Sequence, residues 1–273
     1  MLKELEMFQN YLAEEEKSRV TISKYVRDAE QFLSFLGERE LSKAETVAFK
    51  EMLIQNGYAA ESVNSMISSV NSYLKFVSRP DCRIRYLRMQ KKPFCPDDRL
   101  LTLEEYRRLV AAAGKGSRLC LVMETICSTG IRISELKYFT VEQIRGGEAV
   151  VRCKNKYRAV PIASKLRKKL LAYAKKKGIE SGPVFVTKSG KELDRSNIWA
   201  EMKKICAKAG VESSKVFPHN LRKLFARKFY EKEKDIARLA DILGHSNINT
   251  TRIYILTTLT GHRRLIEQLG LVI

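Results

Sequence analysis

Residues 235–254 read DIARLADILGHSNINTTRIY. Ile236, Leu239, Ala240 and Leu243 recur at helical spacing and predict one buried stripe, within a helix over about 234–243. Gly244 follows the stripe at once and is the expected helix stop. Asn249 is the expected cap of a second helix, over about 249–257. His245 falls at the turn, and Tyr254 lies nine residues further on, in the second helix. A tyrosine there is most simply half-buried core. Just upstream, Pro218-His219-Asn220-Leu221-Arg222 places proline at the start of a helix over about 218–231. His219 and Arg222, three apart, share a face of its first turn, at a helix end that favours anions. Leu221, Leu224 and Phe225 point elsewhere. Taken alone, the pair reads as a capping histidine and a surface arginine.

The rest of the C-terminal half predicts helices with a small antiparallel sheet. Helices are expected at about 103–113, 117–129, 132–139, 195–209 and 260–269, with a basic one at about 164–177. Val141 to Arg145, the turn Gly146-Gly147 and Glu148 to Cys153 read as strand, turn, strand. Tyr157 to Ile162 is the expected third strand, after the short turn Lys154-Asn155-Lys156. Trp199 is expected in the core.

The N-terminal part reads all-helical. Leu5, Phe8 and Leu12 share one face of a first helix. Thr21 is the expected cap of a second, which carries Ile22, Tyr25, Val26, Ala29, Phe32, Leu33 and Leu36 and stops at Gly37. Ser42 with Glu45 makes a capping box for a third. A fourth carries Val63, Met66, Ile67, Val70, Leu74 and Val77 on one stripe. Its opposite face, with Ser62, Asn64, Ser65, Ser68, Ser69, Asn71 and Ser72, is expected in solvent. Pro80, Pro93 and Pro96 then fall among six basic residues, as in a semi-rigid connector.

Charge divides the chain in the same places. Residues 1–70 hold 8 basic and 12 acidic groups; residues 101–273 hold 35 and 16. The expected division is a helical domain at 1–79, a basic linker at 80–100 and a second domain at 101–273. The net charge of the 273 residues is +20, which points to a polyanionic partner, nucleic acid first. The longest apolar runs are about five residues, against about 20 for a helical membrane span. The start, Met1-Leu2-Lys3-Glu4-Leu5-Glu6, has no apolar signal region. The six cysteines contain no CxxC, and three histidines build no zinc finger. There is no Walker A lysine motif and no GxGxxG. A cytoplasmic DNA-binding protein without metal or nucleotide cofactor is the expectation.

Four motifs in order give this a chemistry. Ser128-Thr129-Gly130-Ile131-Arg132-Ile133-Ser134-Glu135-Leu136 resembles the first arginine box of the tyrosine recombinases, the phage integrases and Xer-type enzymes. His219-x-x-Arg222 resembles their second box. Leu243-Gly244-His245 and Tyr254 resemble the third box and the nucleophile, at the family's spacing. The resemblance spans residues 101–269. The N-terminal part is similar, more loosely, to the family's SAM-like core-binding domain. It implies a mainly α protein with a small sheet, forming a C-shaped clamp on duplex DNA.

By this resemblance Tyr254 attacks the scissile phosphate and forms a 3′-phosphotyrosyl bond, so rejoining needs no ATP. Arg132 and Arg222 hold the nonbridging oxygens through planar forks, in the role that metal ions play in nucleases. His219 serves as base or donor, His245 positions phosphate and nucleophile, and Glu135 orients Arg132. The general acid for the leaving oxygen is a lysine in the turn before the third strand. Cys153-Lys154-Asn155-Lys156 is one residue shorter than the Xer-type pattern when Lys154 is aligned to the first lysine; Lys154 is the expected acid, and Lys156 is its rival. The resemblance also implies a homo-tetramer on two inverted-repeat sites, with exchange of the helix at 260–269 between neighbours. Intramolecular docking of that helix is its rival. An accessory protein is compatible. Two other functions share these features: a type IB topoisomerase-like relaxing enzyme, and a non-catalytic relative that only reads DNA through the helix-turn-helix-like segment.

Overall fold

The computed structural model describes residues 2–89, 100–153, 156–187, 189–255 and 267–268, with backbone only at Cys153 and Lys156. They belong to two compact units, Met1–Lys91 and Lys92–Ile273.

The first unit is built on α1 (Leu2–Glu14), α2 (Arg19–Leu36), α3 (Lys43–Gln55) and α4 (Ala60–Phe76). The expected apolar stripes meet in one core that includes Leu5, Phe8, Leu12, Phe32, Phe49, Ile67 and Leu74. Helix α2 starts earlier than Thr21 implied: Ser18 is the cap, and its hydroxyl accepts from the Thr21 amide. The Ser42 hydroxyl does accept from the Glu45 amide at the start of α3. Between α2 and α4, Lys24 Nζ donates to Asp28 Oδ2 at 2.6 Å, Ser69 Oγ at 2.9 Å and the Ser65 carbonyl at 3.0 Å.

The polar face of α4 is a correction. Ser69 and Asn71 are buried instead of solvated. Ser69 faces α2, where its hydroxyl donates to Asp28 Oδ2 at 2.8 Å, and Asn71 is covered by the chain that follows α4, which returns along it. Asn71 donates to the Ile84 carbonyl and accepts from the Ile84 amide, both at 2.9 Å. Asn64 does the same for Leu87, at 3.0 and 2.7 Å. Each amide side chain thus replaces a missing strand partner, and residues 84–87 are held on the helix without a sheet.

In the second unit, α5 (Leu103–Ala113), α6 (Arg118–Thr129), α8 (Ser164–Lys176), α9 (Arg195–Lys204), α10 (Cys206–Ala209), α11 (Pro218–Glu233), α12 (Ile236–Leu243) and α13 (Ile248–Arg252) surround one hairpin. Its strands β1 (Glu148–Cys153) and β2 (Lys156–Pro161) are antiparallel, with Glu148 opposite Pro161 and Val151 opposite Arg158. The segment expected as the first strand is helix α7 (Val141–Gly146). Thr140 caps it by accepting from the Gln143 amide, and Gly147 ends it in the left-handed conformation. The sheet therefore has two named strands. The apolar run at 183–186 makes only single bridges, Thr140 with Pro183 and Val186 with Glu192.

Helices α6 and α11 pack together, and Gly130 closes α6 at φ +66°. A Cβ at Gly130 would lie 2.4 Å from the Phe225 ring of α11, so only glycine lets the two helices approach and turns the chain toward Arg132. Asn247, not Asn249, caps α13; its side chain accepts from the Asn249 amide.

Asn71→Ala should leave the buried amide and carbonyl of Ile84 without partners. The expected loss is about 2 to 3 kcal/mol of unfolding free energy, read by urea denaturation of the full chain. Asn64→Ala, in a more open position, should cost less. Equal or negligible losses would contradict the anchoring role of these side chains.

Candidate active site

The site begins at the end of α12. The last carbonyls of a helix have no partner within it and carry the negative end of its dipole. Here three successive carbonyls each receive an arginine. Ile242 O accepts from Arg158 Nε at 3.0 Å, Leu243 O from Arg222 Nη2 at 2.7 Å and Gly244 O from Arg132 Nη2 at 3.5 Å.

Arg222 is 1% exposed, although it sits in the first turn of α11 where a surface arginine was the simpler expectation. Its Nη1 donates to the Gly130 carbonyl at 2.5 Å, so one guanidinium joins the ends of α6 and α12. Its Nε has no hydrogen-bond partner. Burial, and then the neighbouring Arg132, push this guanidinium down to about 10, and it stays charged at neutral pH. Arg132 is more open, with 32% of its side chain exposed. Its Nη1 donates to Glu135 Oε1 at 3.0 Å, and its amide donates to Glu135 Oε2 at 2.8 Å. Glu135 therefore orients Arg132, as the three-residue spacing implied. Burial would raise the Glu135 carboxyl, but its bonds to Arg158 and to the Arg132 amide and the two positive charges hold it below the usual range.

His245 Nε2 lies 2.9 Å from Arg222 Nη2, and its Nδ1 lies 2.9 Å from Thr251 Oγ1. Arginine only donates, so Nε2 is the acceptor and the ring proton is on Nδ1, directed at Thr251. The ring is neutral in this arrangement. Loss of water, and then Arg222, Arg132 and Arg158, push it down to about 4. His219 is open to solvent on one side. Inward-facing burial, and then Lys223, Arg222, Arg132 and Arg195, hold it below its ordinary value as well.

Tyr254 is 8% exposed and joins a small cluster with Ala226, Leu239 and Leu243. Its ring centre is 5.1 Å from that of His219, edge-on, and 5.0 Å from that of His245. The Arg222 guanidinium carbon is 5.8 Å from the same ring centre. One chain thus brings Arg132, His219, Arg222, His245 and Tyr254 together. Lys154 lies outside the described residues, as does the side chain of its rival Lys156. In the hairpin register Cys153 pairs with Lys156 across the strands.

A groove of about 570 Å³ opens beside these groups, lined among others by Arg132, His219, Arg222, Arg195, Trp199 and Lys203. Trp199 is another correction: it is 48% exposed, not core. On α9 the buried positions are Ile198 and Met202, and Trp199 follows the first of them on the outer side. The Lys203 ammonium lies 5.4 Å from the Trp199 ring centre, so this wall offers an aromatic face and positive charge together. The sequence reading missed Arg195 and Lys203; their basic character alone did not separate them from the many other cations.

Such a site has the positive charge to hold a phosphodiester, with a tyrosine and two neutral imidazoles beside it. Comparisons with known proteins agree. The phage integrase family pattern matches residues 99–259, and the phage integrase N-terminal SAM-like domain matches residues 5–80. Tyrosine recombinase XerA of Thermococcus kodakarensis is 30% identical, over 98% of this chain and 95% of the relative. A crystal structure of XerA recombinase is similar with a TM-score of 0.56 and 26% identity, covering 97% of both chains. A lambda integrase tetramer bound to a Holliday junction shares the fold with a TM-score of 0.74 and 18% identity, covering 92% of this chain and 76% of that one. The chain belongs to the phage integrase family, the tyrosine recombinases. It is a DNA recombinase, an enzyme that cleaves and rejoins DNA strands.

The neutral histidines carry a pH signature in the free protein. The folded-state value of His245 lies below its unfolded value of about 6.5, so protons favour the unfolded chain. Its stabilising contribution is complete above pH 6.5 and is lost as pH falls toward 4. His245→Gln can keep an acceptor toward Arg222 and a donor toward Thr251 without titrating. Thermal melts at pH 6.5 and pH 4.5 should show a smaller loss in this variant, by about 1 to 2 kcal/mol. An identical loss would mean that His245 is already charged in the folded protein.

Proposed function

We propose that this recombinase acts at specific inverted-repeat sites through a 3′-phosphotyrosyl intermediate, with Tyr254 as nucleophile. The observation that carries the reading is the position of the Tyr254 ring, about 5 Å from two imidazoles and over a buried guanidinium. The tyrosine oxygen attacks phosphorus as the bond to the 5′ oxygen breaks. His219, neutral and beside the ring, takes the phenolic proton. Arg132 and Arg222 neutralise the nonbridging oxygens, in part through Arg222 Nε, which has no protein acceptor. His245, held by Arg222 and Thr251, fixes the phosphate and the nucleophile. A lysine at the tip of the β1–β2 hairpin, Lys154 or its rival Lys156, gives the proton to the leaving 5′ oxygen. The reverse step rejoins the strand with its bond energy conserved.

The active assembly in this reading is a homo-tetramer on two duplex sites, passing through a Holliday junction. Its support is the likeness to the recombinase tetramer described above. Exchange between neighbours of the helix expected at 260–269, most of which lies outside the described residues, and an accessory protein belong to the same reading, as does a cytoplasmic location with the DNA. Integration, excision, inversion and dimer resolution all use this chemistry.

The test is covalent trapping. Labelled, nicked duplexes tiling the DNA around the protein's own gene are incubated in EDTA with wild type and with Tyr254→Phe. An SDS-resistant band in wild type alone is expected, with DNA binding kept by both proteins. A band from Tyr254→Phe would remove Tyr254 as nucleophile. No band from either, with site-specific shifts from both on a native gel, would favour a protein that only reads DNA; relaxation of any supercoiled plasmid without site preference would favour a topoisomerase. Replacing the leaving oxygen by sulfur removes the need for a general acid. That substrate should rescue Lys154→Ala or Lys156→Ala, whichever has lost the acid, and leave the other unaffected.

A further inference from the structure

We infer that Arg158 is a third arginine of this site, a positioning residue that balances the charge of Glu135 so that Arg132 stays available to the phosphate. The inference rests on the recombinase reading above. None of the four family motifs contains Arg158. It lies on β2, opposite Val151 and two residues beyond Lys156.

Its guanidinium makes a planar fork on Glu135. Nη1 donates to Oε1 at 3.0 Å and Nη2 donates to Oε2 at 2.8 Å. Each Glu135 oxygen also accepts once from Arg132, one from its side chain and one from its amide. Glu135 is therefore saturated with four donors, half of them from Arg158, and is 1% exposed. The third branch, Nε, reaches the Ile242 carbonyl of α12. The Arg158 side chain is itself 13% exposed.

The charge count gives this geometry its meaning. A buried carboxylate that touched only Arg132 would cancel the charge the phosphate needs, and would repel the phosphate as well. With Arg158 in place, two guanidiniums face one carboxylate, and one positive charge is left over. Glu135 can then hold Arg132 by its backbone and its fork at no electrostatic cost to the anion site. The same side chain joins three pieces of the site: the hairpin that carries the candidate lysines, the Arg132 turn, and the end of α12 that leads into His245. Gly244 is shaped around it. Its φ is +65°, and a Cβ there would lie 2.9 Å from Arg158 Nη1.

The test uses the full protein and the nicked duplex that gives the Tyr254-dependent band, made with either a phosphodiester or a methylphosphonate at the cleaved position. The methylphosphonate lacks one negative charge, so its cleavage depends less on positive charge in the site. Arg158→Met should slow covalent-complex formation on the phosphodiester by about 10- to 100-fold, with DNA affinity changed by less than about threefold. On the methylphosphonate the deficit should shrink to a few-fold. Arg158→Lys, which keeps the charge but loses the fork, should recover most of the phosphodiester rate, and Arg158→Gln, which removes the charge with a polar side chain, carries the same comparison if Arg158→Met does not fold. Wild-type rates in Arg158→Met would overturn the proposal. So would a deficit equal on both linkages, which is what a merely structural residue gives. No band from the wild type on any duplex is a different result, and it overturns the recombinase reading itself.

Discussion

Everything in the site depends on the C-terminal end of α12. An eight-residue helix ends at Gly244 with three carbonyls turned toward three guanidiniums. A helix end supplies partial negative charge and unpaired acceptors without adding a formal charge. That distinction matters beside a phosphate. Carboxylates in place of those carbonyls would hold the arginines equally well and expel the anion. Backbone carbonyls hold them and leave their charge intact. The arginines come from three separate places in the chain, the turn after α6, strand β2 and helix α11, so this helix end gathers the unit around one point.

The two histidines follow from the same arrangement. An imidazole among several guanidiniums gains little from a proton, so His245 stays neutral and accepts from Arg222. Neutrality fixes its tautomer, and the tautomer fixes Thr251 as its other partner. Thr251 is wholly buried and its carbonyl accepts the Tyr254 amide at 2.9 Å. His245 at one end of this chain of contacts and Tyr254 at the other are therefore connected through a single buried threonine, by its hydroxyl on one side and its carbonyl on the other. An added proton on His245 would turn its contact with Arg222 from attraction to repulsion, and the tyrosine would feel the loss.

How much of this was legible in the sequence depends on the range of the interactions. The boxes around Arg132, His219, Arg222, His245 and Tyr254 are local patterns tied to helix starts and glycine stops, and the structure brings all five together. The four N-terminal helices followed from apolar spacing and from cap and stop residues, the third from its Ser42–Glu45 box. Errors arose where two local readings compete. Val141 to Arg145 has its two apolar residues three apart, which suits a helix turn as well as a strand; the Thr140 cap and the left-handed Gly147 decide for the helix. Trp199 was expected in the core, but Ile198 and Met202 take the buried face of α9. The long-range features left no local trace. Asn64 and Asn71 look like a solvated face until the chain returns over them. Arg158 looks like an ordinary strand arginine until Glu135, 23 residues earlier, is folded against it.

The charges of the completed site also match the reaction in magnitude. Arg132, Arg158 and Arg222 face one carboxylate, Glu135, and the two imidazoles are neutral. Two net positive charges remain. In the proposed reaction a phosphodiester brings one negative charge, and attack by a tyrosine oxygen adds a second as the five-coordinate state forms. A site with one spare positive charge would suit the bound substrate; a site with two suits the state between substrate and covalent intermediate. Removing Arg158 lowers the balance by one without touching any group that reaches the phosphate. The penalty then falls on the step where the second negative charge develops, which is why a residue outside the known boxes belongs to the rate of cleavage and not to the affinity for DNA.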